Sequence, residues 1–178
     1  MNRVSSLQLT VLFLSISQCL FAQDSLSLAF YKQYKESGLT VGYNYNFGDK
    51  VDGQRPEAYH FVELGFWKSS VSMGHHPVCA TYYFANDFGL NTDNFTIGPK
   101  VGGFLSILIL GLGAELCYYT DFVGGSLRLI PSMGILTPLF KLTINPHVII
   151  TNKDALPLNK GHLNLTIRVF KLKRTELR

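Results

Sequence analysis

The sequence predicts an all-β fold: a closed antiparallel up-and-down transmembrane β-barrel of eight strands, with eight to ten strands left open. Three observations predict it. Apolar side chains recur with a period of two through most of the chain after residue 38, the period at which successive strand residues face opposite sides. Long polar connections alternate with short ones, the loop pattern of a membrane-spanning barrel. The chain is also 47% hydrophobic and only 16% charged, whereas about a quarter of a soluble domain's residues carry charge. Nine Tyr, 13 Phe, scattered Gly and no heptads exclude disorder, collagen and coiled coil. Sixteen Lys and Arg against twelve Asp and Glu give +4, spread without a basic stripe, so no nucleic-acid partner is expected.

The first element is an address. Residues 1–22 read as a cleaved signal peptide: Arg3 near the start, an apolar run from Leu7 to Phe21, then Ala22 ahead of Gln23 and Asp24. Gln8, Ser15, Ser17 and Gln18 interrupt the run, which argues against the alternative of a retained anchor. Gln18 also stands where a lipoprotein signal ending at Cys19 needs a small residue. Residues 23–37 form an N-terminal segment, either an extra strand with Lys35–Gly38 as its turn or a segment lying in the lumen. The barrel is placed at 38–173 and a basic tail at 174–178.

Within the barrel, Leu39, Val41, Tyr43, Tyr45 and Phe47 alternate with Thr40, Gly42, Asn44, Asn46 and Gly48. The two-faced pattern returns at Val62–Phe66, Val78–Phe84, Phe95–Val101, Leu108–Leu116, Leu127–Leu129, Phe140–Ile144 and Leu163–Val169. Long connections are expected over Asp49–Glu57, Asn86–Asp93 and Thr151–Lys160, and a shorter one over Asp121–Gly125. Between them come a seven-residue link at Ser70–His76 and tight turns near Phe104–Ser106 and Leu136–Pro138. Pro99, Pro131 and Pro146 fall within or beside the strands, where a missing N–H breaks the ladder, and read as bulges or strand ends.

Which face meets what decides the environment. A water-facing set of strand positions should be rich in Lys and Glu. Here the polar parity carries about one charge per strand and is otherwise Gly, Ser, Thr and Asn, which suits a crowded lumen. The Leu, Val, Ile, Phe and Tyr parity suits lipid, where a sheet survives only if it closes.

With its export signal, the Gly-Leu-Thr-Val-Gly-Tyr-Asn-Tyr-Asn-Phe-Gly strand at 38–48 and its eight-strand meander, the chain resembles the small outer-membrane β-barrels of Gram-negative bacteria. The resemblance covers nearly all of the mature chain and rests on pattern. It implies an outer-membrane location, contact with outer-membrane lipid and insertion by the barrel-assembly machinery. One departure is that such proteins usually end on an aromatic residue, whereas this chain continues past Phe170 through Lys171, Lys173 and Arg174 to Arg178.

An eight-stranded barrel has an interior just wide enough for side chains to fill it, so a packed polar lumen is expected. Its members would be Glu63, Tyr83, Lys100, Glu115, Arg128, Lys141, Asn145 and Arg168. A buried charge must be paired. A turn near residue 137 would set Arg128 opposite Asn145, a turn near 123 would set Glu115 diagonal to Arg128, and Lys100 would fall near Cys79. His75 and His76 read as a turn pair, because nothing nearby completes a zinc set with Cys79. Cys79 and Cys117 are too few for a disulfide framework. No metal or cofactor is expected. The expected role is non-enzymatic, structural or surface-interacting, through long loops that meet an unidentified extracellular partner. The alternatives are a membrane-embedded lipid-modifying enzyme or ligand-binding barrel, for which Ser126, His147, His162 and Glu115 are candidates without a nucleophile motif, and a soluble lipocalin-like carrier.

Overall fold

The structure, a computed structural model, describes residues 32–48, 58–153, 158 and 160–177. The expected signal peptide at 1–22 and most of the segment at 23–37 lie outside the described residues. The strands are β1 (Lys32–Phe47), β2 (Ala58–Met73), β3 (Val78–Gly89), β4 (Ile97–Ile107), β5 (Leu110–Thr120), β6 (Gly125–Leu136), β7 (Phe140–Pro146), β8 (Val148–Ile149) and β9 (Gly161–Leu177). Each pairs antiparallel with its neighbour, and the β1–β9 and β5–β6 ladders close the sheet on itself. Eight strands make the wall, and the two-residue β8 is an extra piece beside β6. No α-helix occurs among the described residues.

The parity expected from the sequence is the parity observed. Leu39, Val41, Tyr43, Tyr45 and Phe47 face outward at 37–42% exposure, while Thr40, Asn44 and Asn46 are buried. Leu110 and Leu112, at 67% and 65%, lie outside the wall. Burial and polarity are inverted relative to a water-soluble protein: Glu63, Lys100, Glu115, Arg128 and Lys141 are all buried.

Several boundaries differ from expectation, among them β2, which runs to Met73 into the link expected at Ser70–His76. The wall begins at Lys32 rather than residue 38, and Lys35–Gly38 is straight strand paired with Trp67–Ser70 instead of a turn. Lys35 and Ser37 sit on the outer face, where their polarity interrupts the apolar alternation while the inner parity of Tyr34, Glu36 and Thr40 continues. At the other terminus β9 runs to Leu177, so residues 174–177 are strand paired with β1 and not a tail. Two register irregularities opposite Ser37/Gly38 and Leu39/Thr40 each pass over one residue of β9, Leu172 and Val169. β3 continues to Gly89, which draws Asn86 and Asp87 out of the expected loop. The β4–β5 turn lies at Leu108–Ile109, beyond Phe104–Ser106, which are strand.

Two expected neighbourhoods change with the turns. Arg128 opposes Ile149 of β8, not Asn145, because Leu136 pairs with Lys141 and centres the β6–β7 turn farther along the chain. Thr137 fixes that centre: its hydroxyl oxygen accepts the N–H groups of Leu139 at 3.2 Å and Phe140 at 2.9 Å. Lys100 opposes Cys117 and Ala85, whereas Cys79 opposes Ser106, one inward step beyond Phe104's level. The diagonal placement of Glu115 and Arg128 holds, since Glu115 opposes Ile130 and Cys117 opposes Arg128. Both cysteines are free and buried.

Candidate functional site: a closed polar lumen

Because the strands alternate, seven of the eight wall strands send polar side chains inward at mid-height, β6 placing Ile130 opposite Glu115 there. Lys100 of β4 is the hub. Its Nζ lies 2.7 Å from Glu63 Oε2 of β2, 3.0 Å from Asp87 Oδ1 of β3 and 3.7 Å from Glu115 Oε1 of β5. Lys141 of β7 adds a second cation, 3.8 Å from Glu115 Oε2 and 4.5 Å from the centre of the Tyr83 ring. Three carboxylates thus share two ammonium groups, all buried, an arrangement that persists only with further hydrogen bonds.

The surrounding strands supply those bonds. Tyr83 donates to Glu115 Oε2 at 2.7 Å and Tyr119 to Asp87 Oδ2 at 2.9 Å. Asn44 of β1 donates to Asp87 Oδ1 at 2.8 Å, while Asn164 and Thr166 of β9 donate to Glu63 at 2.9 and 3.0 Å. Asn164 also donates to Asn44, so the network runs unbroken around the closing β1–β9 seam.

Above this layer, toward the long loops, Arg128 of β6 donates to the Leu158 carbonyl and to Ser126 Oγ at 3.2 Å, and packs 5.4 Å from the Tyr119 ring centre. His147, in the link after β7, bonds through Nε2 to His162 Nδ1 at 2.8 Å, and His162 Nε2 meets Asn145 Nδ2 at 2.7 Å. His162 Nε2 also lies 3.9 Å from Glu115 Oε1, which ties the two layers. Phe61, Cys117, Tyr119, Ile130 and Leu158 pack around them. Below, at the short-turn end, Tyr34, Trp67, Val71, Cys79, Phe104 and Leu136 fill the lumen with apolar bulk. There Arg168 pairs with Glu36, and Arg174 lies 3.8 Å over the Tyr34 ring.

Of the eight residues anticipated from sequence, Glu63, Tyr83, Lys100, Glu115 and Lys141 meet in one cluster, Arg128 and Asn145 belong to the layer above, and Arg168 sits apart at the short-turn end. The prediction missed Asp87, hidden by the misplaced loop, and Glu36, hidden by the late start of the first strand. Extending the inward parity Tyr83, Ala85 by one step would have found Asp87. Asn44, His162, Asn164 and Thr166 lie on the parity read as lumenal, but as neutral residues they carried no charge to balance.

The Ser126, His147, His162 and Glu115 group does not assemble as a hydrolytic trio. Ser126 Oγ donates to the Thr151 carbonyl at 2.9 Å and accepts from Arg128 Nε at 3.2 Å, and the Arg128 guanidinium, with Nη1 3.0 Å from His147 Nδ1, stands between it and the histidine pair. His75 and His76 meet edge to face in the β2–β3 turn with ring centres 4.7 Å apart. Among the described residues no group of three or more His, Cys, Asp or Glu side chains could hold a metal ion. No protein-family model, curated protein or solved structure matches the chain.

Proposed function

We propose that the protein is an integral outer-membrane barrel of a Gram-negative cell envelope, with a sealed, non-catalytic lumen and a role in structure or surface interaction through its long-loop end. The observation that carries this reading is the wall. Through the central belt the outward residues are mainly Leu, Val, Ile, Met, Phe, Tyr, Gly, Ala and Pro, with Asn86 of β3 and, nearer the short turns, Lys68 of β2 as polar exceptions, while Glu63, Lys100, Glu115 and Lys141 point inward. A closed sheet leaves no unpaired edge, which suits hydrocarbon. A water-soluble carrier would put that apolar parity inside.

The sealed lumen is supported by the cluster itself. Lys100 and its three carboxylates occupy the axis, with apolar side chains filling the section below. The surface role is supported by the loop end, where Phe95 and Phe122 stack with ring centres 6.2 Å apart and Val123 is 92% exposed beside them. Such residues suit an apolar partner or an interfacial position.

Membranes washed at alkaline pH should retain the protein, and purified protein should migrate faster on a detergent gel before boiling than after. Release into the alkaline wash, or one migration position regardless of heating, would remove the membrane reading. Reconstituted protein should add no steady conductance to planar lipid bilayers, and an open-channel current would contradict the sealed lumen.

A further inference from the structure

On three adjacent strands the apolar outer face stops well before the short-turn end. β1 passes from Leu39 to Ser37 and Lys35, β2 from Phe66 to Lys68 and Ser70, and β9 from Phe170 to Lys173. Ser37 stands opposite Lys68 on one side and Lys173 on the other, and Lys35 is diagonal to both, near enough for long side chains to share a ligand. Among the described residues none of these three ammonium groups has an ion-pair partner, since Glu36 and Glu63 point inward and Glu176 is engaged by Lys32. The other five wall strands keep apolar outer residues up to their turns, at Val78, Ile107, Leu110, Ile135 and Phe140. The lysines are therefore gathered on one arc of the wall and do not ring it.

A groove of about 560 Å³ starts at Lys35 and Lys68 and crosses the outer face to Leu112. It follows one row of the sheet, in which Lys35 opposes Ser70, Ser70 opposes Ala80, Ala80 opposes Leu105 and Leu105 opposes Leu112. Continued through Met133, Ile144 and Leu163, the row meets β1 again at Tyr45, ten residues nearer the long-loop end than Lys35. That stagger is the shear of the barrel. It makes the groove a ramp that rises from a cationic foot into the apolar belt. Ala80 and Gly103 keep its floor low between Tyr82, Leu105 and Leu112. Lys68 Nζ lies 5.8 Å from the centre of the Tyr82 ring, which turns its charge toward the groove.

We propose that this ramp binds one anionic phospholipid from the leaflet at the short-turn end. Lys35, Lys68 and the Ser70 hydroxyl hold the phosphate, Lys173 adds its charge from β9, and one acyl chain lies along Ala80, Gly103, Leu105 and Leu112. The sign of the head follows from the unpaired ammonium groups, which at a membrane surface attract anionic lipid. A zwitterionic head brings a cation of its own and gains less. The chain follows from the groove, which leads away from the lysines into hydrocarbon. The site lies on the outer face and needs no passage into the lumen. The proposal rests on the membrane reading above and adds to it a preferred lipid.

The test is native mass spectrometry of the full folded protein in detergent, with dioleoylphosphatidylglycerol as probe and dioleoylphosphatidylcholine as comparison. Gel migration before and after boiling is scored first. A parent protein that does not shift removes the membrane reading, whereas one that shifts but shows no lipid preference removes this site alone. The expected result is a one-to-one phosphatidylglycerol adduct about tenfold more abundant than the phosphatidylcholine adduct. Lys35→Gln with Lys68→Gln should bring the two adducts level, and Lys68→Gln alone should lose most of the preference. Lys153→Gln with Lys160→Gln, an equal loss of charge in the last long connection, should keep it. Glycerol phosphate, the head without its chains, should not displace the lipid at equal concentration. Equal adducts in the parent, a preference that survives in the Lys35→Gln, Lys68→Gln protein, the same loss in the Lys153→Gln, Lys160→Gln protein, or displacement by glycerol phosphate would each overturn the site.

Discussion

At mid-height the lumen is filled by Glu63 and Lys100; two inward steps farther along the same strands, at Trp67 and Phe104, it is filled by rings and aliphatic groups. The two layers share a wall and a degree of burial, but different forces hold them. In the apolar layer, Trp67 and Phe104 meet edge to face with ring centres 6.0 Å apart, and desolvation supplies the stability. In the ionic layer, desolvation is a cost that ion pairs and hydrogen bonds only offset. The apolar layer should therefore yield gradually to truncation, and the ionic layer abruptly to the loss of any one sign of charge.

The largest effect is expected at the hub. Lys100→Met keeps the length of the side chain but leaves Glu63, Asp87 and Glu115 facing one another without their shared cation. It should destabilise the barrel by about 3–5 kcal/mol, the cost of breaking a buried pair from one side. Urea unfolding followed by the gel shift would measure it. Adding Asp87→Asn should restore part of the loss, because one of the stranded charges is removed. A Lys100→Met barrel as stable as the parent would show the layer to be indifferent to its charge balance.

Glu115→Ala comes next. It strips partners from Tyr83, Lys100 and Lys141 at once, yet leaves Lys100 with Glu63 and Asp87, so about 3 kcal/mol is expected. A melting curve superimposable on the parent's would exclude a structural role for the pair. In the apolar layer Leu136→Ala should cost about 2–3 kcal/mol, the cavity beside Trp67 and Val71 relaxing in part, whereas Leu136→Met should stay within about 1.5 kcal/mol. If the methionine variant proved as damaging as the alanine, the layer would be packed far more rigidly than desolvation alone requires.

The same contrast explains what could be read from the sequence. Alternation specified the barrel, the outward face and most of the ionic layer, because charge is sparse on the inner parity and each instance stands out. The apolar layer was not legible: Tyr34, Trp67, Val71, Phe104 and Leu136 are inward residues that look like outward ones, so polarity does not reveal their face. Their parity does, but only once the turns are placed. The Thr137 hydroxyl recentred one turn and Leu108, at φ 60°, helped displace another, both through backbone geometry that composition does not announce. Pro131 and Pro146 were legible as ladder breaks. That they fall opposite each other, where β6 and β7 form no rungs, required the register.

The smallest effect belongs outside both layers, at the β5–β6 turn. Asp121 Oδ1 accepts the N–H groups of Gly124 at 2.7 Å and Val123 at 3.1 Å, with Asn94 donating to Oδ2 at 3.3 Å. These bonds, the one from Gly124 foremost, favour the ionised form and hold its pKa below the ordinary carboxylate range. A carboxylate whose native pKa is lowered contributes stability that is complete above its unfolded pKa and disappears as pH falls through the native value. Asp121→Asn should therefore loosen the turn slightly at neutral pH and make no difference under strongly acidic conditions, where the parent carboxyl is protonated too. Amide hydrogen exchange at Val123 and Gly124 is the suitable readout, because global unfolding would hardly register the change. Protection relative to intrinsic exchange that is equal in parent and variant at every pH would mean that the turn is held by its backbone alone, with the carboxylate a bystander.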